Sequence, residues 1–288
     1  MAANPNPAPP VEAGRPPKPG MSRAQKLLFF LTAWLICLMP FLFWWNTWFG
    51  RKLSDQQLSE YLHDTKKPRH IQQALVQVGE RITRHDAAVS RWYPELVRLA
   101  SDPVEEVRNT DAWVMGQETA GPGFHEALLK LLADPSLMVR GNAALSLVRF
   151  GDAAGRPQIV GLLEPARIIA PEAGHIVDSD RPGTAIAQRG LIAKLESASG
   201  KTIEVRSPIP GRIQSVAGTG ANLAAGAEIA VIDPATEQVW EALRALYLVG
   251  QAEDLPAVVP YERDLPDISN DVRQQARETE KAIRERNP

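Results

Sequence analysis

The sequence predicts a multidomain protein with a single transmembrane helix, an α-solenoid of helical repeats and an all-β domain inserted into the solenoid. Three observations lead to this prediction. Residues 27–49 carry no charged side chain, an Asp-Pro turn recurs at a fixed period from residue 102, and residues 165–235 contain a duplicated pattern rich in glycine and proline. Each observation is typical of a different class of structure, so the chain divides into modules.

The N-terminal segment, residues 1–26, is dense in proline over its first twenty positions. Neither a helix nor a strand ladder persists there, because proline has no amide hydrogen and its φ is fixed. We predict that residues 1–26 form a disordered tail. A proline-motif ligand for a partner domain is the alternative interpretation.

The uncharged run over residues 27–49 predicts a transmembrane helix, since 23 residues at about 1.5 Å each cross a hydrocarbon core. Trp44, Trp45 and Trp48 cluster at its far end, where amphipathic rings favour the membrane boundary. A cleaved signal peptide is the alternative, but the run is long and no small-x-small site follows it. Basic residues before the helix favour a cytoplasmic N-terminus, so we expect residues 51–288 outside the cytoplasm, in the periplasm if the cell has one.

A turn motif indicates a helical repeat in the next segment. An Asp-Pro turn with a following Val-Arg pair occupies residues 102–108 and recurs at residues 134–140, a period of 134 − 102 = 32. Proline suits the first turn of a second helix, and aspartate is placed to cap its amides. We expect four charged residues to act as caps and as ladder contacts between repeats: Asp102, Arg108, Asp134 and Arg140.

This pattern of leucine-rich helix, Asp-Pro turn, Val-Arg pair and alanine-rich helix resembles the HEAT-repeat family. The resemblance implies an array that builds a surface for partners rather than a catalytic pocket. Residues 51–164 are identified as HEAT-like repeats. The spacing fails near residue 166 and resumes at Arg273. Arg140 and Arg273 are 273 − 140 = 133 residues apart. When the 71 residues of 165–235 are removed, 62 residues remain between them, which is close to two periods of 32. Residues 236–288 therefore resume the array and end in a capping helix.

The segment 165–235 is itself a duplication. Gly174 recurs as Gly211 and Gly183 as Gly220, an offset of 37, which slips to 36 at Gly190 and Gly226. Each Pro-x-x-Gly predicts a tight turn, and each later glycine predicts a corner with positive φ. The duplication predicts a small β-domain made of two halves related by pseudo-symmetry.

The duplicated motifs, IAPEAGHI at 169–176 and SPIPGRI at 207–213, resemble the biotinyl/lipoyl-like domain. The resemblance implies a flattened barrel, known from swinging-arm carriers and from membrane-fusion (periplasmic adaptor) proteins. Carriers bear a modified lysine at the hairpin between the halves, where this chain has Lys201 without the methionines that flank the lysine of biotin carriers. Membrane-fusion proteins, which join a membrane anchor to an unmodified domain, are the closer analogy.

The sequence contains no pattern for a catalytic, metal or cofactor site. It lacks a Walker loop, a nucleophile elbow, an HExxH motif and a dinucleotide fingerprint, and its histidines have no metal-ligand spacing. The net charge of −2 does not indicate a nucleic-acid partner. Four aromatic residues after the membrane segment are predicted to pack in helix cores: Tyr61, Trp92, Tyr93 and Trp113.

These features predict a non-catalytic, membrane-anchored scaffold or adaptor. It would bind protein partners through the HEAT-like surface and the lipoyl-like domain, within an envelope transport or assembly complex. The alternative is a carrier subunit of a membrane-associated enzyme complex, with biotin or lipoate on Lys201. A third hypothesis is a lyase-like enzyme, by analogy with HEAT-like lyases of pigment proteins.

Overall fold

The computed structural model describes residues 22–48, 52–265 and 268–286, and only the backbone at residues 37 and 42–48. The chain forms two compact units, residues 1–52 and residues 53–288. Residues 1–21 of the predicted disordered tail and the predicted boundary position of Trp44, Trp45 and Trp48 lie outside what the structure describes, whereas residues 23–26 of that tail are helical, which corrects the prediction.

The first unit contains one long helix, α1, from Arg23 to Trp48, with Pro40 inside it. The helix begins four residues earlier than the predicted transmembrane segment, because Ser22 caps it. The amide of Gln25 donates to Ser22 Oγ at 3.2 Å, and the amide of Ser22 donates to Gln25 Oε1 at 2.9 Å. The stretch Arg23–Phe41 is long and apolar enough to cross a membrane, with a mean hydropathy of 1.6. A signal sequence near the N-terminus can meet the same criteria of length and hydropathy.

Helix pairs form most of the second unit, and they confirm the helical-repeat part of the predicted fold. In each pair the second helix packs beside the second helix of the neighbouring pair, and we call these second helices the inner helices. Short 3-10 turns lie at Ala87–Trp92, Ala252–Asp254 and Val259–Glu262. The pairs in the described residues are α2 (Asp55–Leu62) with α3 (Pro68–Thr83), α4 (Tyr93–Leu99) with α5 (Glu105–Met115), α6 (Phe124–Leu131) with α7 (Leu137–Arg149), α8 (Arg156–Gly161) with α9 (Thr236–Val249), and α10 (Leu255–Val258) with α11 (Asn270–Arg286).

Two apolar clusters hold the pairs together. One cluster runs from Leu53 to Leu147 and the other from Ala144 to Ile283. Buried hydroxyl groups add the same contact between inner helices in both clusters. Ser146 Oγ donates to the carbonyl of Ala112 at 2.8 Å, and Thr279 Oγ1 donates to the carbonyl of Leu243 at 2.9 Å. These bonds satisfy buried hydroxyl groups and fix the register of adjacent inner helices.

The Asp-Pro turns differ from the expectation that aspartate caps the second helix. Helices α5 and α7 begin at Glu105 and Leu137, after the prolines. The aspartates instead close the turns themselves, since Asp102 Oδ1 accepts from the amide of Val104 and Asp134 Oδ1 from that of Ser136, both at 2.8 Å. A short acidic side chain reaches the backbone two residues later more readily than the helix beyond it.

A bidentate ion pair joins the second and third helix pairs. Arg108 Nε donates to Asp134 Oδ2 at 2.6 Å and Nη2 donates to Oδ1 at 3.0 Å, while Nη1 donates to the carbonyl of Asp102 at 2.8 Å. Burial alone would raise the pKa of Asp134. The bonds from Arg108 and from the Ser136 backbone, with the charges of Arg108 and Arg140, hold that pKa below its ordinary value.

Two antiparallel sheets of four strands lie between α8 and α9. The structure therefore corrects the predicted flattened barrel, because the sheets do not close on each other. One sheet has the order β1-β8-β6-β3 and the other β5-β4-β2-β7. The strands are β1 Ala166–Ile169, β2 Gly174–Ser179, β3 Ala185–Ile186, β4 Leu191–Ser197, β5 Thr202–Arg206, β6 Gly211–Val216, β7 Asn222–Leu223 and β8 Glu228–Pro234.

A shift of 37 residues along the sequence leads from a strand of one sheet to the equivalent strand of the other sheet. Adding 37 to the bounds of β2, β3 and β4 gives those of β6, β7 and β8. The glycines that begin β2 and β6 allow close strand approach. A Cβ on Gly174 would collide with the carbonyl oxygen of Glu196, and one on Gly211 with that of Asp233. The second collision repeats the first at the same offset.

One corner departs from the predicted glycine pattern. Gly226 has a φ of 80°, as expected, but its structural counterpart is Arg189, with a φ of 62°, and not Gly190. The slip from 37 to 36 in the sequence arises here, because the left-handed residue of the first half is an arginine. Arg189 pairs with Glu106 of α5, and its carbonyl accepts from Arg206 Nη1 at 2.8 Å. These contacts stabilise a conformation that side chains other than glycine rarely adopt.

The sheets pack on the helical array through the first turns of α5 and α7. Leu137 and Met138 contact the apolar core of the sheets. Gln188 Nε2 donates to Glu105 Oε1 at 2.9 Å, and the same oxygen accepts from Ser136 Oγ at 2.7 Å. The β region is therefore fixed on the second and third helix pairs by apolar and polar contacts together.

Candidate functional site

A groove of about 600 Å³ lies across the inner helices α5, α7, α9 and α11. Its volume lies in the range of ordinary ligand-binding clefts. Side chains from all four helices line it. They are Trp113, Gln117, Asn142, Leu145, Ser146, Val148, Arg149, Glu241, Arg244, Ala245, Tyr247, Leu248, Gln275 and Glu278.

The repeat geometry explains why these residues meet. Six residues after the valine of each Val-Arg pair, the chain places Trp113 on α5, Leu145 on α7 and Glu278 on α11. Successive inner helices lie side by side, so equivalent positions form a row across the array. The groove is thus a row of unlike side chains on a repeated backbone.

Three exposed apolar side chains give the groove its hydrophobic character. Trp113 is 43% exposed, Tyr247 is 44% exposed and Leu248 is 60% exposed. The ring of Trp113 lies over α3, where a Cβ on Gly79 would come within 3.2 Å of its Cζ3. A tryptophan that keeps this much surface in a concave site is typical of an anchor point for a partner.

Charged side chains on α7, α9 and α11 also line the groove. Arg149 Nη1 donates to Gln117 Oε1 at 2.7 Å and to the carbonyl of Gly116 at 3.5 Å, so both acceptors are neutral. Arg244 lies 3.6 Å from Glu241, and its guanidinium lies 4.6 Å from the centre of the Trp240 ring.

On the far side of the groove, Glu278 accepts from Gln274 Nε2 at 2.9 Å. Within the described part of the chain, neither Arg149 nor Glu278 has an oppositely charged side chain at ion-pair distance. The groove therefore offers one positive and one negative group to a partner.

The structure corrects the predicted environment of Trp113. Trp92 and Tyr93 are core residues, at 2% and 8% exposure, and Tyr61 packs partly buried against the same core. Trp113 instead lies on the open face of α5. The signal was present in the repeat alignment, because the equivalent position on α11 is Glu278, and a charged residue there indicates a face in contact with water.

Asp111 is a second residue that sequence reasoning missed. It lies on the opposite face of α5 from Trp113, is fully buried, and neither carboxylate oxygen has a hydrogen-bond partner in the described structure. Arg98, whose charge acts on Asp111, is bound to Glu95 at 2.7 Å and to the carbonyl of Leu62 at 3.0 Å. Burial raises the pKa of Asp111 well above its usual range, Arg98 opposes this shift, and Asp102 adds to it.

Lys201, the predicted attachment site, lies in the exposed turn between β4 and β5. Its carbonyl accepts from the amide of Ser197 at 2.9 Å, and Gly200 turns the chain with a φ of 78°. The described residues contain no group of three or more His, Cys, Asp or Glu side chains placed to hold a metal ion. The prediction that the protein is not an enzyme stays a prediction.

No protein-family model and no curated protein matches this chain. The similar solved structures include the complex of CpcE and CpcF of phycocyanin lyase from Nostoc sp. PCC7120, with 16% identity and a TM-score of 0.43 over 83% of this chain and 68% of that chain. An engineered protein is similar at 17% identity and a TM-score of 0.39, over 80% of each chain. Likenesses this distant support no conclusion about function.

The predicted membership of the biotinyl/lipoyl-like domains of membrane-fusion proteins is wrong. No family model supports it, and the β region consists of two sheets that do not close into a barrel. The physical reason is that Pro-x-x-Gly turns and glycine contacts at a fixed offset specify a duplicated pair of antiparallel sheets. They do not specify a family.

Proposed function

We propose that this protein is a non-catalytic scaffold that binds a protein partner in the groove formed by its inner helices. The observation that carries the proposal is the exposed cluster of Trp113, Tyr247 and Leu248 inside that groove. Large apolar and aromatic side chains that converge in a concave surface are the usual anchors of protein interfaces. Unlike charges beside them supply orientation.

A photo-crosslinking phenylalanine analogue in place of Tyr247 tests this proposal in the full chain. We expect a discrete protein adduct in native membranes, because the analogue replaces one exposed aromatic ring by another at the groove. The adduct should disappear when Trp113→Ala is added, since this change removes an apolar anchor on another wall of the same groove. The analogue at Lys66, an exposed residue of the first helix pair, is the control. Equal adducts at both positions, or none at Tyr247, would contradict a binding role for the groove.

We propose further that α1 holds the scaffold in a membrane, with residues 51–288 outside the cytoplasm. Its support is the apolar stretch Arg23–Phe41, whose described side chains such as Leu28 and Phe30 are exposed at 65% and 69%. The basic residues before it favour a cytoplasmic N-terminus.

Two measurements on native membranes test the anchor. We expect the chain to stay in the pellet after an alkaline wash, since a spanning helix resists conditions that release peripheral proteins. We also expect the intact mass of the mature chain to include α1. A mature chain that begins after residue 48 would show that α1 is a cleaved signal and that the scaffold is not anchored by it.

A further inference from the structure

The two charged groups of the groove that lack an oppositely charged partner lie on different walls, with Tyr247 and Leu248 of α9 between them. Arg149 is on α7 and meets only neutral acceptors, whereas Glu278 is on α11 and receives only an amide hydrogen bond. The remaining charged pair, Arg244 and Glu241 on α9, is already matched. A partner that satisfies both walls must therefore carry a negative group toward α7 and a positive group toward α11.

The spacing of the walls sets the length of that partner segment. Neighbouring packed helices are about 8–10 Å apart, so α7 and α11, with α9 between them, are about 16–20 Å apart. An extended chain at about 3.3 Å per residue covers this distance in about five or six residues.

The number of residues between the two charged groups of the bound segment distinguishes an extended chain from a helix. A helix rises about 1.5 Å per residue and would need about 11–13 residues to cover the same distance, against about five or six for an extended chain. The apolar side chains of a segment that crosses from α7 to α11 would lie beside Tyr247 and Leu248 of α9.

We propose that the groove recognises an extended peptide segment of a partner protein, in which an acidic and a basic residue five to six positions apart flank apolar side chains. The acidic residue pairs with Arg149, the basic residue pairs with Glu278, and the apolar residues contact Tyr247 and Leu248. The inference rests on the proposed function of the groove and adds the chemistry and direction of the bound segment. Because the charges differ between the walls, the segment binds in one orientation.

Selection of random peptides displayed on phage against the full chain in detergent tests the inference. We expect enriched peptides with an acidic residue, an apolar centre and a basic residue at this spacing. Selection against Arg149→Glu should replace the acidic position by a basic one, and selection against Glu278→Lys should reverse the other end. Lys66→Glu makes the same change in net charge at an exposed site on the first helix pair, and should select the same peptides as the unmodified chain.

Binding of one selected peptide then measures the charge contact directly. We expect Arg149→Glu to weaken the affinity about tenfold, and the peptide with its acidic residue reversed to lysine to restore most of the loss. Enrichment that is absent, or that does not change between the unmodified chain and Arg149→Glu, would overturn the inference. If adducts at Tyr247 still form in that case, the groove binds proteins but by another chemistry, whereas loss of both results would reject the binding role itself.

Discussion

Replacement of Asp111 by alanine is expected to raise the free energy of unfolding by about 2–4 kcal/mol near pH 8. Asp111 is fully buried, and its carboxylate oxygens have no hydrogen-bond partner in the described structure. The equivalent positions four residues after the repeat valine are alanines, Ala143 and Ala276, and both are fully buried. Alanine therefore fits this site in a helix pair of the same design, and the substitution removes an unpaired group at little cost in packing. Urea unfolding of the full chain in detergent, followed by helical circular dichroism, measures the change.

The gain should depend on pH, because the folded state raises the pKa of Asp111. At acid pH, below the unfolded value of about 3.9, the carboxyl is protonated in both states and its ionisation costs nothing. As the pH rises, the unfolded chain loses the proton first, and each pH unit up to the folded pKa destabilises the native state by about 1.4 kcal/mol. The stability associated with the protonated group is thus lost as the pH rises. We expect a larger gain from Asp111→Ala near pH 8 than near pH 5.

The variant Asp111→Asn separates the cost of the ionised carboxylate from the cost of a buried polar group without a hydrogen bond. Asp111→Asn keeps the shape and a buried polar group but cannot ionise, so it should remove the pH-dependent part of the difference and retain the cost of an unpaired polar group. The charged groups that act on Asp111 are Arg98 of α4 and Asp102 of the following turn, and both remain in each variant. A loss of stability in Asp111→Ala, or an equal gain at both pH values, would contradict this account.

The architecture of the array was predictable because it rests on local chemistry repeated at a period. The Asp-Pro turn and the Val-Arg pair recur once after 32 residues, and both copies form the same turn and the same buried valine, Val107 and Val139. The offset of 37 in the β region was readable for the same reason, since the strands follow it. What a repeat cannot specify is how two sheets close or which family they belong to, and there the sequence interpretation failed.

The groove was harder to predict because its residues differ from one repeat to the next. Trp113 follows the buried Ala112 and precedes the buried Val114, so its apolar character alone is compatible with a core position. Its rotation on α5 decides the outcome, and only the alignment with Glu278 reveals it. The conformation of Arg189 was unpredictable for a different reason. Its positive φ could not be foreseen from an arginine, because that conformation is stabilised by Glu106 of α5, more than 80 residues earlier in the chain.

Arg108 and Arg140 occupy equivalent positions in two neighbouring repeats, and we expect their replacement to change the free energy of unfolding by different amounts. Arg108 binds both oxygens of Asp134 and also the carbonyls of its own turn. Arg140 makes the same carbonyl contacts, to Asp134 at 2.6 Å and to Pro135 at 3.0 Å. The residue 32 positions after Asp134 is Ala166, at the start of β1, so Arg140 lacks the carboxylate that a further copy of the turn would supply.

We therefore expect Arg108→Met to lower the free energy of unfolding by about 3 kcal/mol and Arg140→Met by about 1 kcal/mol. The difference arises because Arg108→Met leaves Asp134, whose side chain is only 5% exposed, without its main cation. Adding Asp134→Asn to Arg108→Met should recover part of the loss, since the stranded carboxylate disappears. Urea unfolding of the full chain measures all three variants, and equal losses in the two single variants would show that the carbonyl contacts, and not the ion pair, join the repeats. A threefold difference would show that the ion pair of Arg108 with Asp134 stabilises the junction of the second and third helix pairs beyond the carbonyl contacts that both arginines make.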